Sequence, residues 1–328
     1  MSTTGRPKLS VCVMTYNQER YIRDCLQSIV DQKTDFPFQV IVADDCSKDG
    51  TRAIIHEFGE RYPEVIKPVL RPINLGPTKN FMDLHNSVET DYVAHMDGDD
   101  LMLPGKLQKQ VAFLDANPEF SVVWHRVNLF DDKGGFLPGE NYDLSAYPKG
   151  VVTLEHSLRL GSVAAHSSIM YRRSARKTRQ IDFEILDLFY TWEYLSAGKG
   201  KILEDVLGSY RVSSQGSMQG RSQGQNPMQS EGMIRVLKIV AHHARYYLHL
   251  MPEQRRNIFV FALIQFMVDV KYRRSSAWAF GKLALESVSI VPPSLILKSI
   301  SEMQRVPPCS PLGEIPLARS RREKQQTS

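Results

Sequence analysis

The sequence lacks several features that mark specialised protein classes. Its 328 residues include four cysteines, with no Cys-x-x-Cys pair and no regular spacing. This pattern argues against a disulfide scaffold or a zinc site and predicts reduced, partly buried thiols. No Asn-x-Ser/Thr acceptor is present, and the first ten residues contain no apolar signal core. We therefore expect a reducing compartment, namely the cytoplasm.

Long hydrophobic runs are also missing. The longest apolar stretches, at residues 258–268 and 288–297, are shorter or more polar than the ~20 residues that span a bilayer. The net charge of +5 is mild and gives no reason to expect nucleic acid as a partner. Apolar residues make up 42% of the chain, which is enough for a packed core and excludes disorder. We expect a globular protein that is dissolved in the cytoplasm or rests on the cytoplasmic face of a membrane.

Strand and helix patterns alternate over the first hundred residues. Short apolar runs predict strands at residues 9–15, 38–43, 66–70 and 92–96. Apolar residues at helical spacing predict the intervening helices, the first of them capped by Asn17. This order is typical of a mostly parallel sheet with helices on both faces, whose ligands bind at the carboxyl ends of the strands.

Acidic side chains follow two of these predicted strands. Asp44 and Asp45 come after the second strand, and Asp97, Asp99 and Asp100 come after the fourth. Carboxylates this close repel one another unless a cation or strong hydrogen bonds offset their charge. Oxygen ligands of this kind suit Mg²⁺ or Mn²⁺. The alternative is that each cluster only forms a solvated turn and caps a helix, but two clusters at matching strand ends favour a binding site.

Four blocks in a fixed order carry a resemblance to a known family. They read VCVMTYNQERYI, IVADDCSKDGT, NLGPTKN and YVAHMDGDDLMLP. The chain resembles the nucleotide-sugar half of a family 2 glycosyltransferase, most strongly over residues 8–125 and less so to about residue 215. The resemblance implies a GT-A fold, an α/β architecture with a mostly parallel sheet flanked by helices. It also implies inverting transfer of a sugar from a nucleotide-diphosphate donor to an acceptor hydroxyl, with Mg²⁺ or Mn²⁺ as cofactor.

The resemblance implies a nucleotide-sugar site made of side chains from these blocks. Tyr16 would pack near the nucleotide base, and Asp45 would accept a hydrogen bond from that base. Asp44 would belong to the same site and hold its loop in place. Lys79 stands where the family often has arginine, and would contact the nucleotide or its phosphates as a point charge.

The resemblance also implies a metal site after the fourth strand. Asp99 would be the direct metal ligand, and Asp97 would contact the ribose or a metal-bound water. Asp100 is a weaker candidate for either role. Many relatives carry a histidine ligand where this chain has Ser213, which puts a third protein ligand in doubt. His166 is expected to be a hydrogen-bonded histidine near the sheet rather than a ligand.

A catalytic base is implied further along the chain. An inverting transfer needs a carboxylate to take the proton of the acceptor hydroxyl. The family places it shortly before a helix that ends in Gly-Lys, which here indicates Asp187. The acidic residue that usually precedes it is Leu186 here, so Asp182, Glu184 and then Glu193 are rivals. Without a catalytic role, Asp187 would be a helix-start carboxylate favoured by the helix dipole.

The resemblance to the family does not extend to the C-terminal third of the chain. We predict a catalytic domain over residues 1–215, a helical region over 216–304 and a basic, disordered tail over 305–328. Aromatic side chains in the helical region stand beside basic ones, which are Arg255, Arg256, Lys271, Arg273 and Arg274. This pattern suits docking on an anionic membrane that carries a lipid-linked saccharide acceptor, or the solvated face of a bundle that packs or forms a homo-oligomer. His242 and His243 are expected at the surface.

Two other functions stay open. A sugar-phosphate nucleotidyltransferase shares the nucleotide site and the carboxylate-bound metal, but usually has a glycine-rich basic loop near its start, where this chain has VMTYNQER. A non-catalytic nucleotide-sugar binding protein would keep Asp45 and Asp99 and lack a base. Released nucleoside diphosphate separates an enzyme from a binding protein, and released pyrophosphate indicates the nucleotidyltransferase.

Overall fold

The chain folds into two compact units. The computed structural model describes residues 5–136, 147–160, 163–178, 181–212, 231–271, 273–288, 293–294 and 296–297. The first unit comprises Met1–Phe130, Ala164–Phe183 and Glu193–Arg211, and the second comprises Asp131–Val163, Glu184–Trp192 and Val212–Ser328. Ser213 and the predicted tail at residues 305–328 lie outside the described residues.

One sheet forms the centre of the first unit. Its strands are β1 (Leu9–Thr15), β2 (Phe38–Asp44), β3 (Ile66–Leu70), β4 (Tyr92–Asp97), β5 (Leu101–Met102), β6 (Phe120–Phe130), β8 (Met170–Arg172) and β9 (Lys199–Arg211), while β7 (Val151–Val152) belongs to the second unit. The strand order is β3-β2-β1-β4-β8-β6-β9-β5. The first four of these run parallel, β8 is antiparallel to both neighbours, β6 and β9 are parallel, and β5 is antiparallel to β9. The prediction of a mostly parallel α/β sheet is confirmed.

Helices pack against this sheet through apolar faces. They are α1 (Ile22–Val30), α2 (Thr51–Arg61), α3 (Pro77–Asn86), α4 (Lys106–Ala116) and the end of α6 (Asp187–Ala197). The buried positions of α1 follow the helical period, as predicted. The prediction that Asn17 caps α1 is wrong. The helix begins after Tyr21, and Asn17 adopts a left-handed φ of 52° while its side chain accepts a hydrogen bond from the backbone N–H of Lys48.

The core of the first unit explains the uninterrupted apolar runs. In β1, Leu9, Val11 and Val13 are fully buried, and Ser10 and Cys12 on the alternate positions are fully buried too. A parallel strand covered on both faces needs no polar alternation. The prediction of reduced thiols is confirmed for the three described cysteines, which are free and buried. Burial raises the pKa of Cys12 to about 12.

The second unit is mainly helical. Its helices include α5 (Leu154–Leu160), α7 (Glu231–Leu250), α8 (Arg255–Lys271) and α9 (Ala277–Glu286), together with the start of α6. None of the described helices combines the length and the apolar character that crossing a bilayer requires.

Two expectations for this helical unit are wrong. His243 is fully buried, its Nε2 atom lies 3.1 Å from the carbonyl oxygen of Glu184, and its ring packs against Phe189. Arg274 is also buried, because its guanidinium donates to the fully buried carboxylate of Asp269. In both cases the fold supplies a buried partner, and helical periodicity does not reveal such a partner.

Candidate active site

The ends of three parallel strands bring the acidic clusters together. β1 lies between β2 and β4, with Thr15 opposite Asp44 and Met14 opposite Asp97. The loop after β1, which begins at Tyr16, therefore lies between the loops that carry the two acidic clusters. This edge is where ligands bind in open parallel sheets.

Hydrogen bonds join the loop after β1 to the loop after β2. The backbone N–H of Asn17 donates to Oγ of Ser47 at 2.8 Å, and the backbone N–H of Gln18 donates to Oγ1 of Thr51 at 2.8 Å. These contacts fix the backbone directly after Tyr16, whose side chain is 47% exposed. The Tyr16 ring is thus held at the surface of the site, where it can contact a planar base.

Asp44 faces into the protein. It is fully buried, and its Oδ2 atom accepts a hydrogen bond from the backbone N–H of Ser47 and lies 3.7 Å from Nε of Arg52. Its carboxylate therefore stabilises the loop after β2 through contacts on the buried side of that loop.

Asp45 holds the loop that precedes α3. Its Oδ1 atom accepts from the backbone N–H of Leu75 at 2.7 Å, and its Oδ2 atom accepts from the N–H of Gly76 at 2.9 Å. Gly76 has a φ of 80°, which glycine adopts without strain. Each carboxylate oxygen retains a further lone pair that a nucleotide base could use. Lys79 is exposed on the first turns of α3, directly after this loop.

The carboxylates after β4 differ sharply in acidity. Burial raises the pKa of Asp97, but the His95 and His166 rings and hydrogen bonds from His95 and Ser167 lower it to about 2. Burial and the charge of Asp97 raise the pKa of Asp99 to about 6. The protein therefore stabilises the negative charge of Asp97 and disfavours that of Asp99.

Gly98, between these two aspartates, allows the loops to approach closely. A Cβ atom at this position would lie 2.5 Å from Oε1 of Gln18 and 3.0 Å from Oγ1 of Thr15. The backbone N–H of Gly98 donates to the carbonyl of Met14 at 2.9 Å. A side chain here would force the side chains of Gln18 and Thr15 to shift.

Arg211, the last residue of β9, supports the acidic loop. Its backbone N–H donates to Oδ1 of Asp100 at 2.8 Å, and its Nε donates to the carbonyl of Asp99 at 3.0 Å. Its guanidinium lies 4.2 Å from the ring centroids of both Tyr21 and Phe130. Asp100 is buried, and burial with the charges of the neighbouring aspartates raises its pKa. Asp100 thus serves to position the loop.

A buried chain of side chains ends on Asp97. The hydroxyl of Tyr171 lies 2.8 Å from Nδ1 of His85, Nε2 of His85 lies 3.0 Å from Nδ1 of His95, and Nε2 of His95 lies 3.1 Å from Oδ1 of Asp97. Burial lowers the pKa of His85 well below its usual value. If the Tyr171 hydroxyl donates to His85, His85 donates to His95 and His95 donates to Asp97, each donor in this series has one acceptor.

The sequence analysis did not predict this series of hydrogen-bonded side chains. His95 stands two residues before Asp97 on the same strand and hence on the same face of the sheet, so the sequence alone could have predicted that these two side chains lie close together. His85 lies on α3 and Tyr171 on β8, so no spacing in the sequence indicates that they meet.

His166 completes the group around Asp97. It begins a 3₁₀ turn at residues 166–168, its ring stacks on His95 with centroids 3.8 Å apart, and its Nδ1 atom lies 4.0 Å from Oδ2 of Asp97. Ligand atoms of His95, Asp97 and His166 all lie within 4.8 Å of one another. Carboxylate and imidazole donors fit a divalent cation, so this group could hold one. Asp99, the ligand that the resemblance implies, is not part of the group.

The predicted base and its rivals lie around the start of α6. Asp187 is the first residue of this helix, belongs to the second unit, and accepts a hydrogen bond from the backbone N–H of Leu188 at 2.8 Å. Glu184 is paired with Arg235 at 2.8 Å, and Asp182 is exposed. Glu193 is buried. Asp187 as the base stays a prediction.

Comparison with known proteins assigns the chain to a family. The family described as Glycosyl transferase family 2 matches residues 10–179, more than half of the chain. The chain belongs to glycosyltransferase family 2. The match contains Tyr16, Asp45, Asp97 and His166, and ends before Asp187.

Individual relatives cover parts of this family 2 glycosyltransferase. An uncharacterized protein of Mycobacterium tuberculosis is 42% identical over 127 residues, which are 38% of this chain and 37% of the relative's length. The protein TuaG of Bacillus subtilis, named as a teichuronic acid biosynthesis glycosyltransferase, is 35% identical over 112 residues, 34% of this chain and 44% of TuaG. Both matches span less than half of the relative.

A solved structure extends the likeness of this family 2 glycosyltransferase to the fold. The crystal structure of S. aureus TarS residues 1–349 in complex with UDP-GlcNAc superposes with a TM-score of 0.58 at 22% identity, covering 90% of this chain and 88% of that one. The predicted GT-A type of fold is thereby confirmed.

Proposed function

We propose that this chain transfers a sugar from a nucleotide-diphosphate donor to an acceptor hydroxyl, with inversion at the anomeric carbon. One observation carries the proposal. The ends of β1, β2 and β4 place an exposed Tyr16, the clamped Asp45 and the acidic pair Asp97 and Asp99 along one edge of a parallel sheet. This edge offers an aromatic ring and an acceptor for a base, followed by carboxylates for a diphosphate-bound cation.

The donor's nucleotide would occupy the side of the site nearest β2. Tyr16 would contact the base, and Asp45 would accept a hydrogen bond from it while still holding the N–H groups of Leu75 and Gly76. Exposed Lys79 would attract the phosphates as a point charge. Asp44 would stabilise the loop after β2 through its buried hydrogen bond with Ser47.

The diphosphate would lie beside the loop after β4. Asp99, and Asp97 either directly or through a bound water, would hold Mg²⁺ or Mn²⁺. Such a cation supplies Lewis-acid neutralisation of the leaving diphosphate. The structure supports this assignment because burial and Asp97 raise the pKa of Asp99 to about 6, and a bound cation relieves that repulsion.

Asp187 would act on the acceptor. Its carboxylate would take the proton of the acceptor hydroxyl as that oxygen forms a bond to the anomeric carbon and the bond to the diphosphate oxygen breaks. Attack from the face opposite the leaving group inverts the configuration. A positioned base of this kind typically contributes ~10²–10⁴-fold in rate.

The acceptor would be a saccharide or a lipid-linked saccharide in the assembly of cell-surface polysaccharide or lipopolysaccharide. The name of the Bacillus subtilis relative TuaG supports such a pathway. In the second unit, Trp278 is 85% exposed and Leu285 is 77% exposed, and Arg255, Arg256 and Lys271 are exposed as well. These side chains would dock on the cytoplasmic face of an anionic membrane, or on a second copy of the chain.

Liposome binding tests the membrane contact. Full-length protein should sediment with vesicles that contain anionic lipid, and Trp278→Ser should weaken this binding. Sedimentation that Trp278→Ser leaves unchanged would contradict docking through α9. Association of the protein without vesicles, lost in the same variant, would favour the homo-oligomer.

A panel of nucleotide sugars tests the transfer itself. Thermal shift with and without Mn²⁺ identifies the donors that bind, and UDP-GlcNAc belongs in the panel because TarS was solved with it. Release of nucleoside diphosphate from a bound donor supports the transferase. Release of pyrophosphate would favour the nucleotidyltransferase, and binding without any release would favour the non-catalytic protein.

A further inference from the structure

We propose that Oδ2 of Asp97 and Nδ1 of His166 together form a mixed carboxylate–imidazole site for the divalent cation. The inference rests on the proposed sugar transfer. It makes Asp97 a direct ligand and gives His166 a role in cation binding.

The buried histidine chain determines which oxygen of Asp97 can reach a cation. Oδ1 is held by Nε2 of His95 at 3.1 Å, and His95 is held in turn by His85 at 3.0 Å. His95 is 1% exposed, so the hydrogen bond to Oδ1 comes from the interior. Oδ2 is left on the side of Ser167 and His166.

Oδ2 and His166 lie on the accessible side of the group. The side chain of Asp97 is 37% exposed and that of His166 is 24% exposed. A cation between them could therefore keep water or diphosphate oxygens in its remaining positions, as Mg²⁺ and Mn²⁺ usually do. His95 offers no such access.

The distance between the two ligand atoms suits one ion. Nδ1 of His166 lies 4.0 Å from Oδ2 of Asp97. Two atoms that are each about 2.1 Å from an ion can be up to ~4.2 Å apart. Ligand atoms in opposite octahedral positions are that far apart, whereas those in adjacent positions are only ~3 Å apart. Rotation of the Asp97 carboxylate toward the stacked His166 ring would bring the two atoms closer to adjacent positions.

The ring of His166 is held in place by stacking. Its centroid lies 3.8 Å from that of His95 and 5.6 Å from that of Phe81. The 3₁₀ turn that follows is closed by a hydrogen bond from the N–H of Ser168 to the carbonyl of Ala165. A ligand with a fixed ring needs little ordering when the cation binds.

A nitrogen ligand changes the preference among cations. Imidazole favours later transition metals, whereas an all-oxygen site suits Mg²⁺ as well as Mn²⁺. We therefore expect the protein to bind Mn²⁺ and Co²⁺ more tightly than Mg²⁺, and this preference to depend on His166.

Pulsed electron paramagnetic resonance of bound Mn²⁺ tests the site directly. Full-length protein is loaded with Mn²⁺ alone, and then with Mn²⁺ plus UDP or GDP. We expect a ¹⁴N coupling from a directly bound imidazole. The coupling should vanish in His166→Phe, which keeps the stacked ring and removes the nitrogen, and the affinity for Mn²⁺ should fall on the order of tenfold, relative to a smaller change for Mg²⁺.

Two further variants make the result specific. His56→Gln changes an exposed histidine on α2 and should leave the coupling intact. Asp97→Asn should weaken Mn²⁺ binding at the same site. A Mn²⁺ ion that binds without ¹⁴N coupling, or a coupling that persists in His166→Phe, would overturn the proposal.

This test and that of the proposed function can fail separately. Release of nucleoside diphosphate from a donor by a protein whose bound Mn²⁺ shows no ¹⁴N coupling would support sugar transfer and overturn the cation site. A ¹⁴N coupling that depends on His166, in a protein that releases no nucleoside diphosphate from any donor, would support the cation site and contradict the transferase.

Discussion

The Nε2 atom of His95 lies 3.1 Å from Oδ1 of Asp97, so a residue of the sheet core holds the first carboxylate of the acidic loop. Nδ1 of the same ring lies 3.0 Å from Nε2 of His85. The carboxylate of Asp97 is thus oriented by a contact from inside the protein.

Replacing His95 by phenylalanine tests this orientation. The ring volume is nearly kept, but Oδ1 of Asp97 loses its donor. Loss of such outer partners typically costs ~10–100-fold in metal affinity, and we expect a decrease of this size for Mn²⁺ measured by isothermal titration calorimetry.

The control for this variant is another buried histidine of the same unit. His125 on β6 is fully buried, and its Nδ1 lies 2.8 Å from the carbonyl of Arg126. His125→Phe should change stability without changing Mn²⁺ affinity. An equal loss of affinity in both variants would show that general loosening of the sheet, and not the contact with Asp97, is responsible.

The acidities of Asp97 and Asp99 should be visible in a pH titration. Asp99 has a pKa of about 6, whereas Asp97, with a pKa of about 2, stays ionised throughout the range in which Asp99 titrates. We expect a carboxyl ¹³C resonance with a midpoint near pH 6, absent in Asp99→Asn. Because the cation competes with this proton, Mn²⁺ affinity should fall as the pH drops below 6.

Asp97→Asn separates the causes of that shift. Removing the charge of Asp97 should lower the pKa of Asp99 toward its ordinary value of 3.8, because burial then raises it alone against Arg211 and the hydrogen bonds that lower it. An Asp99 midpoint that stays near pH 6 in this variant would mean that repulsion between the two carboxylates plays no part.

Asp187→Asn tests the base. The amide cannot accept the proton of the acceptor hydroxyl, so transfer should fall by ~10²–10⁴-fold while the dissociation constant of the donor stays the same. Asp182→Asn changes a nearby exposed carboxylate and should leave transfer unaffected. Full transfer by the Asp187 variant, or its loss in the Asp182 variant, would move the base elsewhere.

A buried ion pair in the second unit should govern the stability of α8 and α9. Asp269 accepts hydrogen bonds from Nε2 of Gln265 at 2.8 Å, Nη1 of Arg274 at 2.9 Å and Oγ of Ser276 at 2.6 Å. Asp269→Ala leaves the buried Arg274 without this carboxylate, and should lower the free energy of unfolding by about 3–5 kcal/mol in urea denaturation.

A double variant checks that the loss comes from the unpaired charge. Asp269→Leu combined with Arg274→Met replaces both charges by apolar side chains, and should be more stable than Asp269→Ala. A double variant that is less stable than the single one would contradict this reason.

The sequence predicted the parts of the fold and site that depend on local pattern. Apolar runs indicated the strands, and the polar residues after them indicated where Asp45 and Asp97 would lie. No local pattern in the sequence indicated the contacts between segments that are far apart in the chain. His85, on a helix, contacts His95, and His166, in a turn far away in sequence, lies beside Asp97. The contact between Asn17 and Lys48 is equally non-local, so the local pattern predicts a cap there instead.

Sugar transfer is tested most directly by incubating the protein with a panel of nucleotide sugars and Mn²⁺ and measuring released nucleoside diphosphate. We expect release from at least one donor and its loss in EDTA and in Asp99→Asn. The product should have an anomeric configuration, read by NMR, that is opposite to that of the donor. A protein that binds a donor but releases pyrophosphate, or forms a product with retained configuration, would contradict it.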